Sequence, residues 1–322
     1  MSSAGIQSAI DAMYAPAGWV RHAARVVFAV ACFLATLTGV VVLSILLGSV
    51  VAAALGQTEG RPWYDLGSNL RELAALLVRL VRADPGETAA VSGFRVGVIS
   101  SLWLLALVTL FAVPVGIGAA VYLEEYARPG RLKSIVETNI ANLAGVPSIV
   151  YGILGLTVFV RAFGFRPFAL GYSLWSGALT LGLLVLPTII IAAQEALRAV
   201  PPSLRQASLA LGATRWQTVR DHVIPSAAPG ILTGVILAIS RAIGETAPVL
   251  MVTQATSLLD PPRGPWDSYA PLPLEIYNYA RFPTADYQAL AAGGILLLLM
   301  LLLSLNGIAI FLRNWYGRHP RG

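Results

Sequence analysis

Residues 195–229 read EALRAVPPSLRQASLALGATRWQTVRDHVIPSAAP, a polar stretch between two long apolar runs. It is built like two capped helices. Ser203-Leu-Arg-Gln206 and Thr214-Arg-Trp-Gln217 both have capping-box spacing, in which a hydroxyl and a side-chain carbonyl satisfy each other's backbone amides. Gly212 stands between them where a helix-ending glycine belongs, and Pro225 is expected to end the second piece. Most membrane spans are joined by short loops. A structured, arginine-bearing module tied to two spans reads as a part that another protein grips and moves.

Outward from this hinge the chain is apolar. Of 322 residues, 57% are hydrophobic and only 12% charged, with a mean hydropathy of +0.73. A soluble domain carries roughly 25% charged residues, so the chain is an integral membrane protein. Its one cysteine, Cys32, lies in an apolar run, which excludes an intramolecular disulfide. The net charge of +6 fits basic loops on one side of a membrane better than nucleic-acid binding.

Six runs are long enough to cross the hydrocarbon core, which takes about 20 helical residues. They lie near Val26–Leu55, Val96–Leu123, Asn139–Val160, Ser173–Ala193, Gly230–Val252 and Leu290–Leu312. The first is far longer than the apolar part of a signal peptide, so it reads as an uncleaved anchor. With the N-terminus inside, the inner segments hold 12 basic residues and the outer segments nine, balanced outside by nine acidic ones. This places both termini and the hinge in the cytoplasm. The expected layout is a cytoplasmic segment 1–25, a six-span domain 26–315 containing the hinge 195–229, and a cytoplasmic tail 316–322.

Residues 1–22 hold apolar positions interrupted by Pro16 and read as an interfacial helix. In the outer segment, Leu70, Leu73, Leu77 and Leu80 recur at helical spacing opposite Arg71, Glu72, Arg79 and Arg82. This predicts an amphipathic helix over Asn69–Arg82 that lies on the membrane surface or docks a partner. Another outer stretch, 254–287, is rich in proline and aromatic residues. No internal repeat is apparent.

The chemistry-bearing positions lie in the spans. The fifth run contains Ser240-Arg241-Ala-Ile-Gly244-Glu245-Thr246-Ala-Pro248. Arg241 is 12 residues beyond Pro229, or about 18 Å along a helix, near the bilayer centre. A charge there is costly and needs a partner, and Glu245 at i+4 supplies one. The pair is either an internal lock between helices or part of a transport pathway. An arginine there suits an oxyanion, because its planar fork matches phosphate or carboxylate geometry. Ile231, Val235, Ile239 and Ile243 form the opposite, apolar face. The third run opens Asn142-Leu-Ala-Gly145-Val-Pro147-Ser148-Ile-Val-Tyr151-Gly152. Gly145, Gly152 and Gly155 permit close helix approach, and Pro147 loosens the backbone beside a hydroxyl and a phenol. Candidate pathway residues are therefore Arg241, Glu245, Thr246, Ser148, Tyr151 and Asn142.

No catalytic constellation is present. His22, His222 and His319 lack metal-ligand spacing, and Lys133, preceded by Leu132, is not a phosphate-loop lysine. No cofactor or metal is expected on this chain, and an ATP-driven process would need its ATPase on another chain.

The hinge resembles the cytoplasmic loop of ABC importer permeases, which follows E-A-A, three residues, Gly, nine residues, I-x-L-P. Here Gln206-Ala207-Ser208 is followed by three residues, Gly212, nine more, and His222-Val-Ile224-Pro225. Gln206, Ser208, His222 and Ile224 depart from the pattern. In that family the loop forms coupling helices that sit in a groove of the ATPase. By that resemblance the residues engaging the ATPase are Arg205, Gln206, Ala207, Leu211, Gly212, Ala213, Thr214, Arg215 and Pro225. Leu204, Ala207, Ser208 and Leu211 would form the docking face. Residues 145–152, 241–248 and 272–277, with Leu305-Asn306 and Arg313, are similar to the phosphate-specific (Pst) ABC permeases, the PstA type in particular. The resemblance covers roughly residues 96–315. It implies the all-α type I ABC importer permease fold with six spans, and inorganic phosphate as substrate. It also implies a second related permease, a cytoplasmic ATPase dimer using ATP and magnesium, and an extracytoplasmic phosphate-binding protein, in contact with membrane lipid. A permease for another oxyanion such as sulfate or molybdate, a membrane sensor subunit and a membrane enzyme are the alternatives.

Overall fold

A computed structural model describes residues 19–55, 66–86, 88–89, 91–253 and 260–317. Those residues form helices and turns, with no strand among them. The interfacial helix read from residues 1–22 lies mostly outside the described residues, as does the tail from 318. Five helical stretches are long and apolar enough to cross a membrane: Arg25–Ala54, Arg95–Tyr126, Leu174–Arg198, Arg215–Gly244 and Ala285–Asn314. A sixth crossing exists if one sharply bent pair counts as a span.

Contacts divide the chain into two units, Met1–Ala52 and Ala53–Gly322. The first holds nearly all of α1 (Trp19–Ala54), an apolar helix whose flanks, from Phe28 to Ile45, are exposed all round. A helix apolar on every side is suited to lipid or to helices of another chain.

The second unit is built around α6 (Leu174–Arg198), with α3 (Arg95–Val121) packed on one side and α9 (Ile224–Gly244) on the other. Small residues set these distances. A Cβ at Gly234 of α9 would lie 2.3 Å from the Ala192 Cβ, and one at Gly116 of α3 would lie 2.6 Å from Ile189 Cγ2. Between membrane helices, where lipid is as apolar as leucine, such close backbone approach is a main source of attraction. Ile231, Val235 and Ile243 are buried in this packing, so the apolar face of the fifth run meets protein.

The third run is not one straight helix. It divides into α4 (Arg131–Ala144) and α5 (Ser148–Gly155), and the segment Ser148–Gly164 that α5 opens is bent by 101° from α4. Pro147 is the cause: it lacks an amide and disfavours helical geometry at Val146, so the chain leaves α4 at Gly145 and restarts beyond the proline. The continuous apolarity of 139–160 conceals this bend.

The fifth run is broken too. α9 stops at Gly244, Glu245 is extended (φ −76°, ψ 109°), and a short helix α10 (Ala247–Val252) follows. Pro248 sits in the first turn of α10, where its missing amide is harmless. In an unbroken helix its ring would strike the Gly244 carbonyl.

The hinge departs from expectation at both outer ends. Its first helix, α7 (Pro202–Ala210), is started by Pro201 and Pro202, and Ser203 makes no capping bond. Fixed proline φ angles suit a first turn as well as a hydroxyl cap does. The second piece, α8 (Arg215–Thr218), carries the full Thr214/Gln217 capping box. Pro225 does not end it. A π-helical turn over Val219–Val223 leads straight into α9, widening the helix where the Pro225 ring would meet the carbonyl of residue 221.

Between the first two spans, α2 (Leu66–Arg82) forms as an amphipathic helix, three residues longer at its start than predicted. Its apolar face meets protein rather than lipid. Leu80 is 1% exposed and abuts Gly293 of α12 (Ala285–Gly317). Outside the spans, the turn 263–267 receives the Leu174 and Trp175 amides through the carbonyls of Asp267 and Pro265. The Ser101 hydroxyl receives the Leu272 amide at 2.9 Å, where α11 (Leu272–Ala280) begins.

Candidate functional site

The break between α9 and α10 carries the paired charges. Arg241 Nε donates to Glu245 Oε1 at 3.1 Å, with the arginine side chain half exposed and the glutamate 18% exposed. Because Glu245 stands just past the helix end, its carboxylate also lines a small cavity with Ser101, Leu104, Leu181, Pro271 and Pro273. At about 20 Å³ the cavity has room for one water. One turn back, the Ser240 hydroxyl meets Asn306 of α12. Thr246, the residue before α10, makes no side-chain cap, so its hydroxyl is uncommitted there.

α5 packs directly on α10. A Cβ at Gly152 would lie 2.7 Å from the Pro248 Cα, and one at Gly155 would lie 2.1 Å from Thr180 Oγ1 of α6. The glycines at 152 and 155 thus serve the close approach that their spacing suggested, whereas Gly145 ends α4 and meets no neighbouring helix. Tyr151 comes within electrostatic reach of Arg241, but its hydroxyl donates to the Leu143 carbonyl at 2.9 Å, folding α5 back on α4. Ser148 is half-buried at the start of α5, and Asn142 is exposed near the end of α4. Arg241, Glu245, Thr246 and Tyr151 are therefore grouped around the break. Asn142 and Ser148 belong to the neighbouring bend.

At the hinge, Gly212 has φ +86°, a left-handed conformation that glycine adopts without strain. The Ala213 amide reaches the Ser208 carbonyl and the Gly212 amide the Leu209 carbonyl, a complete glycine-ended helix terminus. The exposed surface differs from the expected one. Ser208 is buried and shares a 2.9 Å hydrogen bond with Thr218, and Leu204 packs against the core. Leu211 (90% exposed) and Ala207, two of the four expected, do face outward, joined by Leu209, Gln206 and Trp216. Ala213 is half-buried, Thr214 is occupied in its capping box, and Pro225 lies inside the continuing helix.

Arg205 and Arg215 also turn toward their own chain. Arg205 holds buried Glu125 at 2.7 and 3.1 Å and donates to the carbonyls of Val200 and Leu197. The Arg215 guanidinium lies 5.4 Å from the centre of the Tyr126 ring. Glu124, next to Glu125, faces elsewhere: it binds Arg198 at 2.6 Å and Gln194 at 2.9 Å, beside Lys133 and Glu137 of α4. A π-helical turn over Tyr122–Tyr126 continues α3 and carries these residues. Little in the sequence marks this cluster. The charged doublet directly after an apolar run was its only local signal.

A second buried group lies in the stretch between the last two spans. Glu275 of α11 is 2% exposed and pressed against Gly97 of α3, whose backbone amide is the donor nearest a carboxylate that has no side-chain partner. Burial pushes its acid up to about 8. Tyr269, also fully buried, is pushed up by the same cause. Among the described residues no group of His, Cys, Asp and Glu could hold a metal ion.

Known proteins share both the sequence and this fold. Residues 112–318 match the family of binding-protein-dependent transport system inner membrane components. The probable ABC transporter permease protein YqgI of Bacillus subtilis is 34% identical over 76% of this chain and 84% of its own length. The phosphate transport system permease protein PstA of Yersinia pestis is 34% identical over 72% of this chain and 76% of its own. In a crystal structure of a bacterial alginate ABC transporter, one chain superposes with a TM-score of 0.59 at 16% identity, over 90% of this chain and 95% of that one. The fold is thus that of the ABC importer permeases. The chain belongs to the family of binding-protein-dependent transport system inner membrane components, a permease subunit and not an enzyme.

Proposed function

We propose that this chain is a transmembrane permease of an ATP-driven importer of inorganic phosphate. The observation that carries this reading is the Arg241–Glu245 pair at the unwound end of α9, in a chain related to phosphate permeases. A half-exposed guanidinium in a helix break offers a planar, double-donor fork to an oxyanion. Glu245 neutralises it when no anion is bound. Thr246, Ser148, Tyr151 and Asn142 complete the proposed path. A second, related permease forms the other wall, two copies of a cytoplasmic ATPase bind the hinge and use ATP with magnesium, and a phosphate-binding protein delivers substrate outside.

In this reading both termini and the hinge are cytoplasmic, with residues 1–25 and 316–322 flanking the six-span domain 26–315. The ATPase meets the surface of Leu209, Leu211, Gln206, Ala207 and Trp216, while Gly212 fixes the angle between α7 and α8. Motion of the hinge passes along the continuous α8–α9 rod to Arg241.

The test is uptake of labelled phosphate into vesicles holding the complete transporter, with unlabelled phosphate, sulfate and molybdate as competitors. Phosphate alone should compete, and Arg241→Gln should abolish uptake without loss of the assembled complex. Competition by sulfate or molybdate equal to that by phosphate would overturn the assignment.

A further inference from the structure

The cytoplasmic end of α3 holds a cluster that the pathway does not use and the hinge surface does not expose. In the π turn Tyr122–Tyr126, three consecutive side chains reach different elements. Glu124 binds Arg198 at the end of α6 and lies 4.0 Å from Lys133 of α4. Glu125 binds Arg205 of α7 through two guanidinium nitrogens. Tyr126 receives the face of Arg215 of α8. Both hinge helices are therefore fastened to this one turn, and the turn is fastened to α4 and α6.

The chain of contacts continues. Glu137 joins Lys133 and Arg198, so α4 is held at its first two turns. At its other end α4 is tied to α5 by the Tyr151–Leu143 hydrogen bond. α5 touches α10 where Gly152 meets Pro248, three residues beyond Glu245. A packed route thus leads from the hinge to the ion pair without passing along α9. Buried, bidentate charge pairs resist displacement, because separating them leaves an unpaired charge out of water.

We propose that Glu124 and Glu125 are positioning residues for transport: they form a branched clamp that carries hinge motion through α4 and α5 to the break at Glu245. Motion along α8–α9 moves Arg241, and motion through the clamp moves the opposite wall of the break. This inference rests on the reading of the chain as an ATP-coupled permease, though not on which anion it carries.

The test is Glu125→Gln in the complete transporter, reconstituted with its ATPase and binding protein. The ATPase subunits should co-purify in wild-type amounts and basal hydrolysis should persist. Uptake per ATP should fall about tenfold, within the range of ordinary coupling free energies. Glu125→Asp, which keeps the charge, should restore most of it. A second measurement does not depend on substrate. In a Cys32→Ser background, spin labels at positions 149 and 303 report α5 against α12, and labels at 203 and 303 report α7 against α12. Trapping nucleotide should change both distances in the otherwise unsubstituted protein, but only the second when Glu125→Gln is added. Wild-type changes in both distances, or a fall in uptake that tracks loss of assembled complex, would overturn the clamp. If no phosphate enters through the unsubstituted transporter, the proposed substrate fails while the distance measurement still decides the clamp.

Discussion

Two buried glutamates mark the two ends of this permease, and they are kept in opposite ways. Glu125, at the hinge end, is 6% exposed and gripped by Arg205. Glu275, in the stretch between the last two spans, is 2% exposed and has no charged partner, with only the Gly97 amide near its carboxylate. The first is a charge held by a charge. The second is an acid packed against Gly97 among apolar and phenolic neighbours, and burial favours its neutral form. The hinge end is built from ion pairs, and the other from close packing.

The contrast breaks most sharply under a change of pH. Glu275 is pushed up to about 8 from its ordinary value of 4.5, so between these the folded state binds more protons than the unfolded one. The stability this group contributes is complete below about 4.5 and is lost as pH rises through about 8. The slope is about 1.4 kcal/mol per pH unit over that window, before relaxation of the site. Thermal unfolding of the detergent-solubilised protein should therefore show Glu275→Gln markedly more stable than wild type at pH 9 and close to it at pH 5. Equal behaviour at both pH values would mean that Glu275 ionises freely.

The next largest effect has the opposite sign. Glu125→Ala strands the Arg205 charge and should lower stability by about 2–3 kcal/mol, below the usual cost for a fully buried pair because Arg205 is a quarter exposed. The same unfolding measurement at pH 7 checks it. A stabilised Glu125→Ala would show that the two glutamates are not different in kind.

Gly212→Val sharpens the comparison at the hinge itself. A Cβ there meets nothing within 4 Å, so the penalty comes from the positive φ alone, about 1–2 kcal/mol. Unfolding temperature should fall slightly, while uptake should be lost with the protein still in the membrane. Normal uptake would remove the hinge from the coupling path. The smallest effect belongs to the exposed pair Arg95–Asp84, where Asp84→Asn should change stability by no more than about 0.5 kcal/mol.

What could be read in advance follows the range of the interactions. The apolar runs, the Thr214 capping box and the left-handed Gly212 are set within a few residues, and all are visible as pattern. The bends at Pro147 and at Glu245 are local too, but apolar sequence on both sides hid them. The prolines at 147 and 248 break their helices, whereas those at 187 and 229 lie within continuous ones. Tertiary packing decides which. Glu125 and Arg205 are 80 positions apart, and the burial of Glu275 depends on α3. No periodicity encodes such pairings. For the same reason Arg205 and Arg215, readable as exposed hinge charges, are committed to the π turn beneath them.

That π turn also has a consequence for heredity. A π turn is one surplus residue accommodated in a helix, and the charged doublet rides on it. Losing a single codon within 122–126 would remove that surplus residue and move every residue after it up one place in the turn. Composition and hydropathy would barely change, yet the carboxylates could no longer serve both α6 and α7. For this segment the reading frame of the helix, rather than the chemistry of any one side chain, is what mutation can least alter.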